Sequence, residues 1–180
     1  SGDCTKGVTP MVSVVVPMLN SAGDMPNVVK FLGEQLFRDF EVIFVVDSKS
    51  TDGTEEAVEK FAPPIGRWSM IIQHSDGGLG EARNLGIDAS QGKYIWFLDA
   101  DDRPHPTFLS TLVTLAEENG ADLAQCNFIR SSDLGTQIPR GNYKVKIMDS
   151  DEALHNRASE IIPVTSWSFV FRRQFLLDND

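Results

Sequence analysis

Apolar residues recur along this chain in two alternating rhythms. Apolar-rich runs at residues 11–16, 41–46, 69–73 and 93–98 lack strict polar alternation. Such runs suit strands buried on both faces, as in a parallel sheet. Between them the period lengthens. Residues 24–37 place Val28, Leu32 and Leu36 four apart, which predicts an amphipathic helix. Asp52 and Glu55 read as a capping box opening a second helix to about Phe61, and Pro63-Pro64 ends it. Residues 78–89 carry Ala82, Leu85 and Ala89 on one helical face. Residues 106–119 carry Phe108, Leu112 and Leu115 and stop near Gly120. Residues 123–129 read as a fifth strand.

Strands alternating with helices predict a three-layer α/β/α unit with a mostly parallel central sheet over residues 11–130. Residues 1–10 read as a disordered tail. After Arg130 the pattern turns polar. Residues 131–148 suggest a hairpin, 149–158 a short helix, 166–171 a late strand, and 173–177 the start of another helix. That beginning helix suggests that 131–180 opens a region continuing beyond this chain.

Length and composition narrow the setting. The 180 residues are 41% hydrophobic and 23% charged, which suits one well-buried unit. The net charge is −10, and no Lys/Arg cluster would grip a nucleic-acid backbone. Cys4 and Cys126 do not suggest a disulfide framework, so a reduced, cytoplasmic setting is expected. No apolar stretch reaches the roughly 18 residues of a membrane span, and no signal peptide is visible. Any membrane contact is expected to be peripheral.

Chemistry concentrates at strand ends. Phe97-Leu98-Asp99-Ala100-Asp101-Asp102 puts three carboxylates within four positions directly after an apolar strand. In parallel α/β sheets ligands sit beyond the carboxyl ends of strands. Mutually repelling carboxylates call for positive charge, and hard oxygen ligands favour Mg²⁺ or Mn²⁺. A helix cap is the bland alternative, but it needs only one carboxylate. Val46-Asp47-Ser48-Lys49-Ser50-Thr51-Asp52-Gly53-Thr54 follows the second strand. Asp47 there could accept hydrogen bonds from a base or ribose, while Asp52 and Thr54 suit a turn and cap equally well. In Gly78-Leu79-Gly80-Glu81-Ala82-Arg83, the third position of a dinucleotide fingerprint is Arg83, which weakens a dehydrogenase reading. Arg83 could turn back to an anionic ligand, or be an ordinary surface arginine. Pro17 and Asn20 close the first strand. His74, His105 and His155 lack metal-ligand spacing, and only His105 lies near the acidic cluster.

Taken in order, PMLN, VDSKSTDGT, GLGEARNLG and FLDADD resemble the family 2 glycosyltransferases of GT-A fold. Their usual motifs are P-x-Y-N, V-D-D-G-S-T-D-G-T, G-x-x-x-A-R-N-x-G and F-L-D-x-D-D. A weaker echo, WSFVFRRQFL from Trp167, resembles the family's acceptor-side W-x-x-x-Y-R-R segment. The resemblance implies that Pro17 and Asn20 meet the nucleobase and that Asp47, Arg83 and Asp99 line base and ribose. It implies that Asp101, with Asp99, holds the metal and that Asp102 lies near the donor sugar. Leu19, Ser48 and Lys49 depart from the motifs, which bears on base choice.

The implied reaction is metal-dependent transfer of a sugar, with inversion, from a nucleoside diphosphate to an acceptor hydroxyl. UDP is the expected nucleotide. A saccharide or lipid-linked acceptor, as in cell-envelope polysaccharide synthesis, is implied by analogy. The family's base lies beyond the Trp/Arg-Arg segment, so it is expected beyond Asp180, and this polypeptide is expected to bind donor better than it transfers sugar. The alternatives are a nucleotide-sugar-binding module without catalysis, a nucleotidyltransferase, and an NAD-dependent enzyme. The nucleotidyltransferase is disfavoured because residues 17–24 contain no Lys or Arg.

Overall fold

The computed structural model describes residues 9–126, 146–149, 151–152 and 166–179. Most of the expected tail, residues 127–129 of the expected fifth strand, most of the hairpin at 131–148, most of the helix at 149–158, Cys4 and His155 lie outside these residues.

The main elements of the described residues are six strands and five α-helices. They are β1 (Val12–Met18), α1 (Met25–Glu34), β2 (Phe40–Asp47), α2 (Thr54–Phe61), β3 (Trp68–Gln73) and α3 (Gly78–Ala89), then β4 (Tyr94–Phe97), α4 (Phe108–Asn119), β5 (Leu123–Gln125), β6 (Phe169–Arg172) and α5 (Arg173–Asp178). The sheet order is β3-β2-β1-β4-β6-β5. β1 pairs in parallel with β2 and β4, and β2 with β3. β6 lies antiparallel between β4 and β5. The fifth strand is therefore not β4's neighbour. The late strand takes that place, and Trp96 Nε1 donates to the Trp167 carbonyl at 3.0 Å beside it.

Three layers follow from how the strand residues divide. Val14, Val16, Val42, Phe44 and Trp96 face one core with α1, α2 and α4 residues such as Leu32, Val58 and Leu112. Val15, Ile43, Val45, Ile95 and Phe97 face a second core with Ala82 and Leu85 of α3 and Leu176 of α5. Adjacent strand residues point to opposite faces, so an unbroken apolar run is what a doubly covered sheet requires. α3 packs closely because Gly86 has no side chain: a Cβ there would stand 2.2 Å from Val15 Cγ1.

Several boundaries differ from expectation. β1 continues through Pro17 to Met18 in register with β2, so the proline does not turn the chain there. α1 ends at Glu34. Leu36 lies beyond it and is 66% exposed, while Gln35 is fully buried. The Gln35 carboxamide donates to the His105 carbonyl at 2.9 Å and accepts from Leu109 N at 3.2 Å. Ala89 is exposed, and α3 buries Ala82 and Gly86 instead. Asp52 does not make a capping box, because Gly53, with φ of 85°, is the N-cap of α2. Gly120 ends α4 in the left-handed conformation, as the sequence suggests.

Candidate active site

The carboxyl ends of β1, β2 and β4 share one rim. Met18 pairs with Val46, immediately before Asp47. Val15 pairs with Phe97, and Leu98 N donates to the Val15 carbonyl at 2.9 Å, so the acidic cluster leaves the sheet beside β1's last turn. A cleft of about 340 Å³ opens there. Pro17, Leu19, Asn20, Ser21 and Asp24 line it together with Leu79, Asp99, Ala100 and Asp101.

Of the residues singled out from sequence, Pro17, Asn20, Asp99 and Asp101 therefore meet at one cleft. Arg83 reaches it indirectly. Its Nη2 donates to both Asp99 oxygens, at 3.1 and 3.5 Å, and its guanidinium stacks 5.7 Å from the Phe97 ring. Arg83 and Asp99 are both mostly shielded, with side chains 22% and 28% exposed. That shielding makes the pair stronger than an open surface bridge. Arg83 is thus no ordinary surface arginine: it fixes one carboxylate of the cluster.

Asp102 is only partly exposed. Burial, then the charges of Asp99 and Asp101, push its carboxyl up to about 6. Its Oδ2 is buried and finds no hydrogen-bond partner among the described residues. Its backbone N–H donates to the Asp99 carbonyl at 3.0 Å, closing the turn that presents Asp101 to solvent.

Asp47 is nearly buried at the end of β2, outside the residues lining the cleft. Its Oδ1 accepts from Lys49 N at 2.9 Å, an Asx turn. Lys49 forms an ion pair with Asp76, tying the loop after β2 to the one before α3. His105 is exposed, and its Nδ1 contacts the Thr107 hydroxyl at 2.9 Å ahead of α4. His74 is exposed as well.

Sequence reasoning passed over Leu79 and Gln35. Leu79 is 51% exposed at the cleft, and Leu19, which also lines it, is 54% exposed. A leucine between two glycines, outside any helical apolar face, was the available signal. Gln35 had none, since its partners lie 70 and 74 residues away.

Comparison with known proteins places this geometry among characterised folds. The profile described as Glycosyl transferase family 2 matches residues 13–179. YibD of Escherichia coli K12, described as an uncharacterized glycosyltransferase, is 30% identical over 178 residues, covering 96% of this chain and 51% of that protein. EpsJ of Bacillus subtilis 168, described likewise, is 32% identical over 169 residues, covering 92% and 48%. The chain thus spans about half the length of these relatives. S. aureus TarS 1-349 superposes with a TM-score of 0.74 at 24% identity, over 94% of this chain and 49% of that one, a likeness of fold. The same TarS fragment has been solved with UDP. The mannosyltransferase PcManGT of Pyrobaculum calidifontis, solved with GDP-Man and Mn²⁺, gives a TM-score of 0.60 at 28% identity over 67% of this chain and 36% of that one.

Proposed function

Because this chain belongs to glycosyl transferase family 2, we propose that its cleft is the donor site of a metal-dependent, inverting transferase that uses a nucleoside-diphosphate sugar. The observation that carries this reading is the meeting of Asp99 and Asp101 with the end of β1 around one cleft. UDP is the favoured nucleotide, with GDP the alternative, since the compared structures hold one or the other.

The acidic cluster suits a cation that arrives with its substrate. Among the described residues, no three His, Cys, Asp or Glu side chains converge into a complete metal cage. Mg²⁺ and Mn²⁺ need none here, because one or two carboxylates plus substrate phosphates complete their shell. Asp102 is pushed up first by its burial and then by the charges of Asp99 and Asp101, so the three carboxylates crowd one another as neighbours of a cation would. Asp101, exposed at the cleft, would be the principal ligand, with Asp99 beside it. Bound there, the cation would neutralise the departing diphosphate as a Lewis acid.

The protein's own residues divide the remaining work. Arg83 holds Asp99 oriented and offsets part of its charge. Leu19 and Leu79 offer apolar surface to a base or sugar face. Asp102, partly buried beside Asp99 and Asp101, lies near the donor sugar in this reading. The acceptor hydroxyl loses its proton to a carboxylate supplied from the acceptor side, following the Trp167–Leu177 segment. Localisation at the cytoplasmic face of a membrane fits a lipid-linked acceptor. Among the described residues, no helix is long and apolar enough to cross one.

Donor turnover by the full-length enzyme tests the proposal. Asp101→Ala is expected to lower kcat/KM by a hundredfold or more, on the scale of one lost electrostatic stabiliser (about 10²–10³). Wild-type turnover that ignores chelation, with Asp101→Ala equally active, would refute it. Nucleotide binding without transfer by the full-length protein would favour the non-catalytic alternative.

A further inference from the structure

The turn at Leu19–Ala22, whose first three residues line the cleft, is held by side chains of the loop after β2 and of Thr54, the first residue of α2. Three consecutive backbone donors of this turn are taken by side chains of that loop and of the start of α2. Asn20 N donates to the Ser50 hydroxyl at 3.2 Å, Ser21 N to Thr54 Oγ1 at 2.9 Å, and Ala22 N to Asp52 Oδ2 at 2.9 Å. A fourth tie runs the other way, from Thr51 N to Asn20 Oδ1 at 2.8 Å. The loop is braced within itself. The Thr54 hydroxyl and backbone N–H both donate to Asp52 Oδ1, at 2.6 and 3.1 Å. These bonds hold the Asp52 carboxyl below its usual range.

This arrangement decides what the turn can offer a ligand. Its amides point at the neighbouring loop, so they are not free to cradle a diphosphate. What remains toward the cleft is the Leu19 side chain and the shape of the turn. Asn20 adopts a left-handed backbone with φ of 50°, a conformation asparagine tolerates but does not prefer over extended ones. Its bonds to Ser50 and Thr51 hold it there. Gly53, also left-handed, lets Asp52 and Thr54, on either side of it, reach the same short stretch of backbone.

We infer that Asp52 and Thr54 are positioning residues: they bind no ligand and set nucleotide affinity by fixing the Leu19–Ala22 turn. The inference rests on the donor-site reading of the cleft. It assigns Asp52 and Thr54 a role that turn formation or helix capping alone would not require.

Two substitution pairs test it. Thr54→Val keeps the shape of a side chain that is 1% exposed but removes the relay oxygen, while Thr54→Ser keeps the oxygen. Asp52→Ala removes an exposed carboxylate and is expected to fold whatever Thr54→Val does. UDP and GDP affinity, measured by calorimetry with Mn²⁺ on folded protein, is expected to fall about tenfold in Thr54→Val and Asp52→Ala, the scale of one lost hydrogen bond. Thr54→Ser is expected to stay within about twofold of wild type. Affinity unchanged in both disruptive variants would overturn the inference, even if their melting temperatures drop. Amide exchange at Asn20, Ser21 and Ala22 supplies a readout independent of ligand. If the wild type binds neither nucleotide, the donor-site reading fails. In that case, protection lost in Asp52→Ala and kept in Thr54→Ser would still support the hold of Asp52 and Thr54 on the Leu19–Ala22 turn. Protection equal in all forms would overturn it.

Discussion

Asp102 holds its proton to about pH 6 because its carboxylate is half-buried next to two others. The sign of the consequence follows directly. The folded state binds this proton more tightly than the unfolded chain, whose aspartates titrate near 3.8. The contribution of Asp102 to stability is therefore greatest below about pH 4, falls as pH rises toward 6, and stays lost above it. Without divalent cations, Asp102→Asn is expected to raise the melting temperature at pH 7–8 by a few degrees and to flatten the pH 4–6 slope. Melting curves in EDTA check this, and equal melting temperatures at pH 7.5 would contradict it. Arg83 works on the same cluster from the other side. Arg83→Ala leaves Asp99 unpaired and is expected to weaken nucleotide binding about tenfold, as titration calorimetry would read. These roles were partly legible in sequence. Three acidic residues in four positions announce a charge problem, and an arginine in a glycine's place announces a specific use. That Arg83 grips Asp99 rather than a ligand depends on a contact between α3 and the end of β4, which local pattern does not encode.

At the level of elements, the helix–strand packing separates two glycines that look alike in sequence. Gly86 lies against Val15, so Gly86→Ala must displace α3 or the strand and is expected to cost about 1–3 kcal/mol. Gly33 in α1 has open space around it, so Gly33→Ala is expected to gain about 0.5–1 kcal/mol from helix propensity. Urea melts of the two variants should shift in opposite directions, and shifts of the same sign would contradict this packing. The apolar runs identified β1, β2 and β4 because both faces of each are covered. Periodicity misjudged the end of α1, where Leu36 continues the spacing but Gln35 is the buried residue. There two distant backbone groups needed partners, and satisfying them outweighed burying one more leucine. The capping box failed for a similar reason: Asp52 serves the loop after β1 as well as α2.

For the molecule as a whole, α/β alternation made the three layers legible. The place of β6 between β4 and β5 was not, because it depends on a strand far along the chain entering the sheet antiparallel. Motif order carried the functional reading further than composition could. A net charge of −10 alone argues against a diphosphate ligand. A cation held between Asp101 and the phosphates would resolve that conflict. Thermal unfolding with UDP- and GDP-sugars, with and without Mn²⁺, in wild type and Asp101→Ala, tests this most directly. At about a hundred times the dissociation constant, ligand adds about 2.7 kcal/mol, or roughly 5–10 °C for a protein of this size. That shift is expected for one nucleotide, only with Mn²⁺, and not in Asp101→Ala. A shift of equal size without metal, or one that survives Asp101→Ala, would contradict it.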